Sequence, residues 1–319
     1  MITEIKTIIQ SHLKQILSVL GLFILLYVLY NANLLDNLSV FSSINLFFLA
    51  IAFLFSLLNI ALKVYRWQYL SANYGKNLTM YDASLVTISS FFYANITPGK
   101  IGDLFKAYYM NKKHQLRYIS GISMLFYERF FELVILLIVA FSVVLFLEID
   151  SNTLLVLAVT FILLLGLVVF YLKSDFILEK IERFADRYVA RYTPGEEKLQ
   201  LEKLPSVKIM AIFVITFFSL VMEFVRLWFV ALSFGFTVNF FMLSSFFCIS
   251  ILFGLISQIP LGIGVTEGSL IFFIEKLGIP SPVASAIVIV DRIISMYFSL
   301  IIGYVFSKLA LDSVEEFSI

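Results

Sequence analysis

Six stretches of this chain, at about 16–33, 44–65, 119–147, 152–172, 208–232 and 283–307, are apolar over the length that a helix needs to cross a hydrocarbon layer. Such a crossing takes about 20 residues, and a segment inside lipid must satisfy its own backbone groups. That restricts the chain to an all-α polytopic membrane protein. The composition agrees, with 61% hydrophobic and 14% charged residues, against roughly 25% charged in soluble domains. A water-soluble fold carrying 35 Phe would expose apolar surface that it could not cover. The formal net charge of +1 gives no basic surplus to neutralise phosphates, so no nucleic-acid partner is expected. Cys248 is the single cysteine and His12 and His114 lie far apart, so neither a His/Cys metal site nor a disulfide is expected. No ATP-binding motif is present, and no cofactor is expected.

Lys6 and Lys14 precede the first span, but no small-x-small cleavage site follows it, so it reads as a retained span rather than a signal peptide. Short-loop charge sets the orientation. Lys6, Lys14, Lys63, Arg66, Lys76, Lys112, Lys113, Arg117, Lys173, Lys208 and Lys308 fall on one side if the spans alternate, which puts both termini in the cytoplasm of a prokaryotic plasma membrane. The region 173–207 reads as a solvated linker. Ile177, Ile181, Phe184 and Tyr188 recur in it at helical spacing, a pattern that also suits an amphipathic helix on the cytoplasmic membrane surface.

Two further apolar regions, 78–113 and 238–277, are interrupted at their centres. The first reads Asn95-Ile-Thr-Pro98-Gly99-Lys100-Ile-Gly102-Asp103, the second Gln258-Ile-Pro260-Leu-Gly262-Ile-Gly264-Val-Thr-Glu267. Pro and Gly at such a point end one helix and let another begin. The pieces suit re-entrant hairpins, with two proline-kinked helices as the alternative. Gly99 and Gly262 fall in register, and Glu128-Arg129 and Asp291-Arg292 lie 33 residues beyond Asn95 and Gln258 respectively. Arg66-Trp67 ends the span before the first break as Arg226 and Trp228 end the span before the second. The expected organisation is a single membrane domain over 1–319, with a first repeat at 44–147, a connection at 148–207 and a second repeat at 208–307. Three crossings separate the starts of the two units, so the repeat is expected to be inverted, with substrate bound where the halves meet.

Charge inside the membrane portion costs roughly 2.5–3.5 kcal/mol per residue unless it is paired or solvated. Arg129 and Glu132, and likewise Glu223 and Arg226, have the spacing of a helical ion pair. Glu128 and Glu132 repel each other unless a cation lies between them. Each break also presents a helix N-terminus, an anion site by its free N–H groups and dipole. Lys100, Lys106, Arg129 and Arg292 would add charge there, while Asp103 and Glu267 would cap the helices or meet a cationic or hydroxylated group.

These motifs, Arg66-Trp67, Asn95-x-x-Pro98-Gly99-x-x-Gly102-Asp103, Glu128-Arg129 with Glu132, Pro260-x-Gly262-x-Gly264-x-x-Glu267 and Arg292, resemble the lysylphosphatidylglycerol synthase transmembrane region, or flippase-like, family of prokaryotic membrane proteins. The resemblance covers about 15–310. It implies movement of aminoacylated phospholipids or polyisoprenyl-linked lipids between leaflets. Together with the internal repeat and the charges at the breaks, it makes Arg66, Asn95, Pro98, Gly99, Lys100, Gly102, Asp103, Lys106, Glu128, Arg129, Gln258, Pro260, Gly262, Gly264, Glu267, Asp291 and Arg292 the expected substrate-binding positions. Lys106 stands where the family usually has Arg, which weakens the expectation of a bidentate phosphate clamp there. A soluble aminoacyl-transfer domain is not expected after the last span, so the synthase activity does not carry over. A lipid translocase acting on a phosphate-bearing or anionic membrane lipid is the leading expectation. The alternatives are a membrane transferase using Asp103, Glu128 or Glu267 as base, and a non-catalytic subunit of an envelope-lipid assembly. A homo-oligomer or an envelope-biosynthesis partner fits any of the three.

Overall fold

The structure, a computed structural model, describes residues 19–142 and 204–315. The expected span 152–172 and nearly all of the 173–207 segment lie outside the described residues. Everything described is helix and connection, with no strand. In chain order the helices are α1 (Val19–Asn31), α2 (Leu46–Asn73), α3 (Met80–Ile96), α4 (Leu104–His114), α5 (Tyr118–Phe141), α6 (Ser206–Ser233), α7 (Phe240–Ser257), α8 (Val265–Lys276), α9 (Ser281–Arg292) and α10 (Phe298–Glu315). Between α1 and α2 lies a 3-10 helix, Leu35–Ser43. A π-helical turn, Ile293–Tyr297, joins α9 to α10 into one long rod.

The chain is a multi-pass membrane protein. Among the described residues, four helical stretches are long and apolar enough to cross a bilayer: Leu46–Asn73, Val207–Ser233, Phe240–Ser257 and Ser281–Val314. A fifth crossing arises if α1 and Asp36–Ser43, bent by 87°, count as one. Of the six spans expected from sequence, 152–172 lies outside the described residues, and 119–147 is described only to residue 142. The described part of that span, α5, carries Glu128, Arg129 and Glu132 near the middle of one helix, whereas each of the four has an 18-residue stretch with no more than 2 charges. The helix α7, expected as half of a re-entrant hairpin, is itself long and apolar enough to span. Only 28% of the apolar windows of α2 and α6 is covered by protein, and Phe47 and Val207 stand 68% and 82% exposed. In water such faces would be untenable; against acyl chains they are the outer surface.

Two runs of elements match in detail. Helices α2 and α6 are each 28 residues long, and each ends in a left-handed glycine, Gly75 and Gly235. Just beyond, Lys76 N donates to Ser71 O at 3.0 Å, and Phe236 N donates to Ala231 O at 3.2 Å. Gln68 Nε2 donates to Leu78 O at 2.9 Å, and Trp228 Nε1 to Val238 O at 3.0 Å. Thr79 and Asn239 then cap α3 and α7 through their side-chain oxygens, satisfying N–H groups that a helix start leaves free. The packing exchanges partners in the same way: α2 lies on α6, α3 on α10, and α5 on α7.

Helices α2 and α6 run antiparallel. Asn45 N, at the start of α2, donates to Ser233 O, at the end of α6, at 2.7 Å. Further along, Ser219 Oγ donates to Asn59 Oδ1 at 2.6 Å, and Arg66 Nη1 donates to Thr216 Oγ1 at 3.1 Å. Small residues let the other helices approach. A Cβ on Gly303 of α10 would sit 2.8 Å from Phe92 N, and one on Gly121 of α5 would sit 2.8 Å from Ala107 Cα. Close backbone contact of this kind supplies packing energy where water is absent.

Candidate functional site

Both breaks form as their sequences dictate. Thr97 is extended before Pro98, because proline disfavours helical backbone in the residue preceding it. Gly99 (φ 59°) and Lys100 (φ 57°) then take left-handed backbone. Thr97 Oγ1 donates to Tyr93 O at 2.8 Å and accepts from Gly102 N at 2.7 Å, which folds the break back onto α3. A Cβ on Gly102 would lie 2.0 Å from Tyr93 O, so no other residue fits there. At the second break Gln258, Leu261, Gly262 and Gly264 all have positive φ. Glu267 Oε2 accepts from Gly264 N at 2.7 Å and occupies the N-terminus of α8.

The two breaks meet. A Cβ on Gly99 would come within 2.8 Å of Gln258 Oε1. Beside this junction lies a cavity of ≈ 220 Å³ bounded by α2, α3, both breaks, α5, α6, α7 and the π turn. Of the positions expected from sequence, Asn95, Gly99, Lys100, Glu128, Arg129, Gly262 and Arg292 line it. Arg66, Gly102, Asp103, Lys106, Gln258, Pro260, Gly264, Glu267 and Asp291 do not line it, and most of them act from behind. Lys63, Asn59, Glu132, Glu223 and Arg226 line it but were not among the expected binding positions.

The charges explain this division. Arg66 is buried and places Nη2 2.5 Å from Glu128 Oε1 and 2.8 Å from Glu132 Oε1. It is the cation that the Glu128–Glu132 spacing requires. Lys106 is also buried, with Nζ 2.9 and 2.8 Å from the two Glu128 oxygens and 4.8 Å from the Trp67 ring centroid. It neutralises a carboxylate and has no reach into the cavity. Arg129 bonds Asp103 through Nη2 and Glu132 through Nη1 at 2.5 Å. Asp103 is therefore spent on Arg129 and makes no side-chain cap on α4. In the second run Arg226 grips Asp291 at 2.8 and 3.3 Å, and Arg292 Nε lies 3.0 Å from Glu267 Oε1.

One sequence expectation is corrected here. Glu223 and Arg226 do not pair with each other along their helix. Glu223 Oε1 instead accepts from Lys63 Nζ at 2.7 Å and Asn59 Nδ2 at 2.9 Å, because a partner across a buried interface outbids a solvated i,i+3 contact. At the start of α8 the Glu267 carboxylate caps the helix, one of the two roles expected of it, so that N-terminus is not an open anion site.

One cavity cation is left without a carboxylate. Among the described residues, no carboxylate or hydrogen-bonding side chain pairs with Lys100, which lines the cavity. Arg292 Nη2 is buried without a hydrogen-bond partner. Every cavity cation except Lys100 lies beside a carboxylate, Arg292 beside Glu267, so the surplus positive charge where the breaks meet is that of Lys100.

A helical, multi-pass membrane protein with a charge-lined cavity between two broken helices is the class that fold and site define. The sequence matches the family described as lysylphosphatidylglycerol synthase TM region over residues 15–303, and the chain belongs to that family. A UPF0104 membrane protein of Methanocaldococcus jannaschii is 25% identical over 280 residues, covering 81% of this chain and 83% of the relative. A UPF0104 membrane protein of Methanothermobacter thermautotrophicus is 26% identical over 281 residues, covering 82% of each.

Proposed function

We propose that the protein is a lipid translocase that moves a phosphate-bearing phospholipid or polyisoprenyl-linked lipid between bilayer leaflets. The observation that carries this reading is Lys100, an unpaired cation held in left-handed backbone where the two breaks meet, facing a cavity that Arg292 also lines. An anionic head group is the ligand that completes such a site: an ionised acceptor makes the stronger class of hydrogen bond to ammonium and guanidinium groups. The tails would remain in lipid while the head group crosses through the cavity.

The matched runs of elements support an inverted-topology repeat, since α2 and α6 meet antiparallel on each other. Rocking of one unit against the other would then expose the head group to each leaflet in turn. In this reading both termini are cytoplasmic, the membrane is a prokaryotic plasma membrane, the breaks are re-entrant, and the protein is not an enzyme. The buried carboxylates fit that last point. Glu128 is held by Arg66 and Lys106, and Glu267 by Gly264 N–H and Arg292; a carboxylate so neutralised is a poor general base.

The test is reconstitution of the full chain in vesicles containing tail-labelled fluorescent phosphatidylglycerol or polyprenyl phosphate, with a membrane-impermeant quencher added outside. Wild-type protein is expected to expose more than the outer-leaflet share of the label. Lys100→Gln is expected to slow exposure by about tenfold or more, from loss of one charge-assisted contact, with thermal stability kept. Folded wild-type protein that moves none of these lipids sinks the reading.

A further inference from the structure

The charges divide sharply by unit. Arg66, Lys106 and Arg129 find their carboxylates within the first run of elements, and Arg226 and Arg292 find theirs within the second. Lys63 and Glu223 cross between the runs, at 2.7 Å, with side chains 21% and 13% exposed. Both line the cavity. They also occupy corresponding positions, 160 residues apart, the separation that relates Gln68 to Trp228 and Leu78 to Val238. Asn59 and Ser219, again 160 apart, bond to each other one turn away. A residue that touches its own counterpart lies on the two-fold line relating the two copies. The Lys63–Glu223 pair therefore sits on the pivot between the units. There two identical charges would repel, and the sequence has instead placed one of each sign.

We propose that Lys63–Glu223 is a substrate-released latch: an anionic lipid head group entering the cavity takes Lys63 from Glu223, and loss of this bridge frees one unit to move against the other. The assignment rests on the translocation reading and deepens it. Lys63 becomes a head-group contact alongside Lys100 and Arg292. A phosphate can compete for Lys63 because the ammonium is partly exposed to the cavity and lies beside Phe91, 5.9 Å from the ring centroid, rather than enclosed like Lys106. The remaining ion pairs stay closed during the movement, since each lies within one moving body. An equilibrium biased by one such pair shifts when a ligand binds one of its partners differently in the two states.

The test uses the full chain in vesicles with Ser295→Cys as a cavity reporter; the native Cys248 is buried. An impermeant maleimide is applied from each face in turn, in phosphatidylcholine alone or with added phosphatidylglycerol. With the wild-type latch, phosphatidylglycerol is expected to change the ratio of the two labelling rates by about tenfold. Glu223→Gln is expected to reach that changed ratio in phosphatidylcholine alone and to respond little further. The exchange Lys63→Glu with Glu223→Lys rebuilds the pair about the pivot and is expected to restore both the resting ratio and the lipid response. A Glu223→Gln protein that rests and responds as wild type overturns the latch, and so does a folded exchange variant that stays in the changed ratio. Because the ratio is read without lipid movement, failure of the latch is distinguishable from failure of translocation in the quenching assay.

Discussion

The two broken regions share a plan and differ in how they are held. At the first break, Asp103, Glu128, Glu132, Arg66, Lys106 and Arg129 form one connected ionic cluster. At the second, Arg226–Asp291 and Arg292–Glu267 are separate pairs, and the break relies on a helix cap and on close packing. A Cβ on Gly264 would lie 2.3 Å from Gly21 O, so α1 is seated directly on this break. Matching positions thus hold matching ion pairs, while the surroundings have diverged. The first unit concentrates charge and leaves Lys100 over; the second is tightly packed and leaves only the buried edge of one guanidinium. In the proposed translocation reading, the first break offers the unpaired cation to the head group, and the second contributes mainly packing and the Arg292 edge.

The largest effect that can break this comparison is on stability. Glu128→Gln strands the buried Lys106 and takes one of its two carboxylates from the buried Arg66, leaving it Glu132. Asp291→Asn strands only Arg226, whose neighbours include the Phe247 ring at 5.9 Å. Removing one partner of a buried pair costs about 3–5 kcal/mol. Glu128→Gln is expected at or above the top of that range and Asp291→Asn at the bottom, measured as thermal unfolding in detergent. Equal losses would mean that the first cluster behaves as independent pairs.

A second contrast separates space from charge. Gly102→Ala drives a methyl group into the Tyr93 carbonyl and must displace backbone, so a loss of several kcal/mol is expected. Gly99→Ala meets only the end of the Gln258 side chain, which can swing away, and loses chiefly the left-handed preference, about 1–2 kcal/mol. Melting temperatures of the two variants, compared side by side, check the order. A reversed order would place the tight approach at Gly99 instead.

Much of this organisation is legible in the residues. Pro98, Gly99, Pro260 and Gly262 act locally, so the breaks, the helices around them and the register of the two units can be read directly. The cation between Glu128 and Glu132 is demanded by their spacing, although nothing in the spacing says that Arg66 supplies it. Lys63 reads as a loop charge because an apolar count stops near residue 65. In fact α2 continues to Asn73, and its late charges are tolerated because Glu223, Glu128 and Glu132 wait on other helices. Glu223 and Arg226 mislead for the same reason. Ion pairs that cross between helices depend on tertiary distance, which one-dimensional spacing does not contain. The charges that line the cavity are therefore harder to assign than the backbone that encloses it.

The smallest effect is also the one that best separates folding from function at the two breaks. Lys100 (φ 57°, ψ 28°) and Leu261 (φ 62°, ψ −6°) are the non-glycine residues held left-handed there beside Gln258. Such backbone costs a side-chain-bearing residue about 1–2 kcal/mol, offset in part by the extra unfolded-state entropy of glycine, about 0.5–1 kcal/mol. Lys100→Gly removes a side chain that bonds nothing among the described residues, so a net gain of about 0.5–1 kcal/mol is expected. Leu261→Gly relieves the same backbone but gives up a half-buried apolar side chain, which brings its net change to about zero or slightly below. The first variant should therefore melt higher than wild type and fail to move anionic lipid, while the second should melt near wild type and still move it. A Lys100→Gly protein that melts lower would show that the ammonium has a structural partner, and would return the first break to the same passive role as the second.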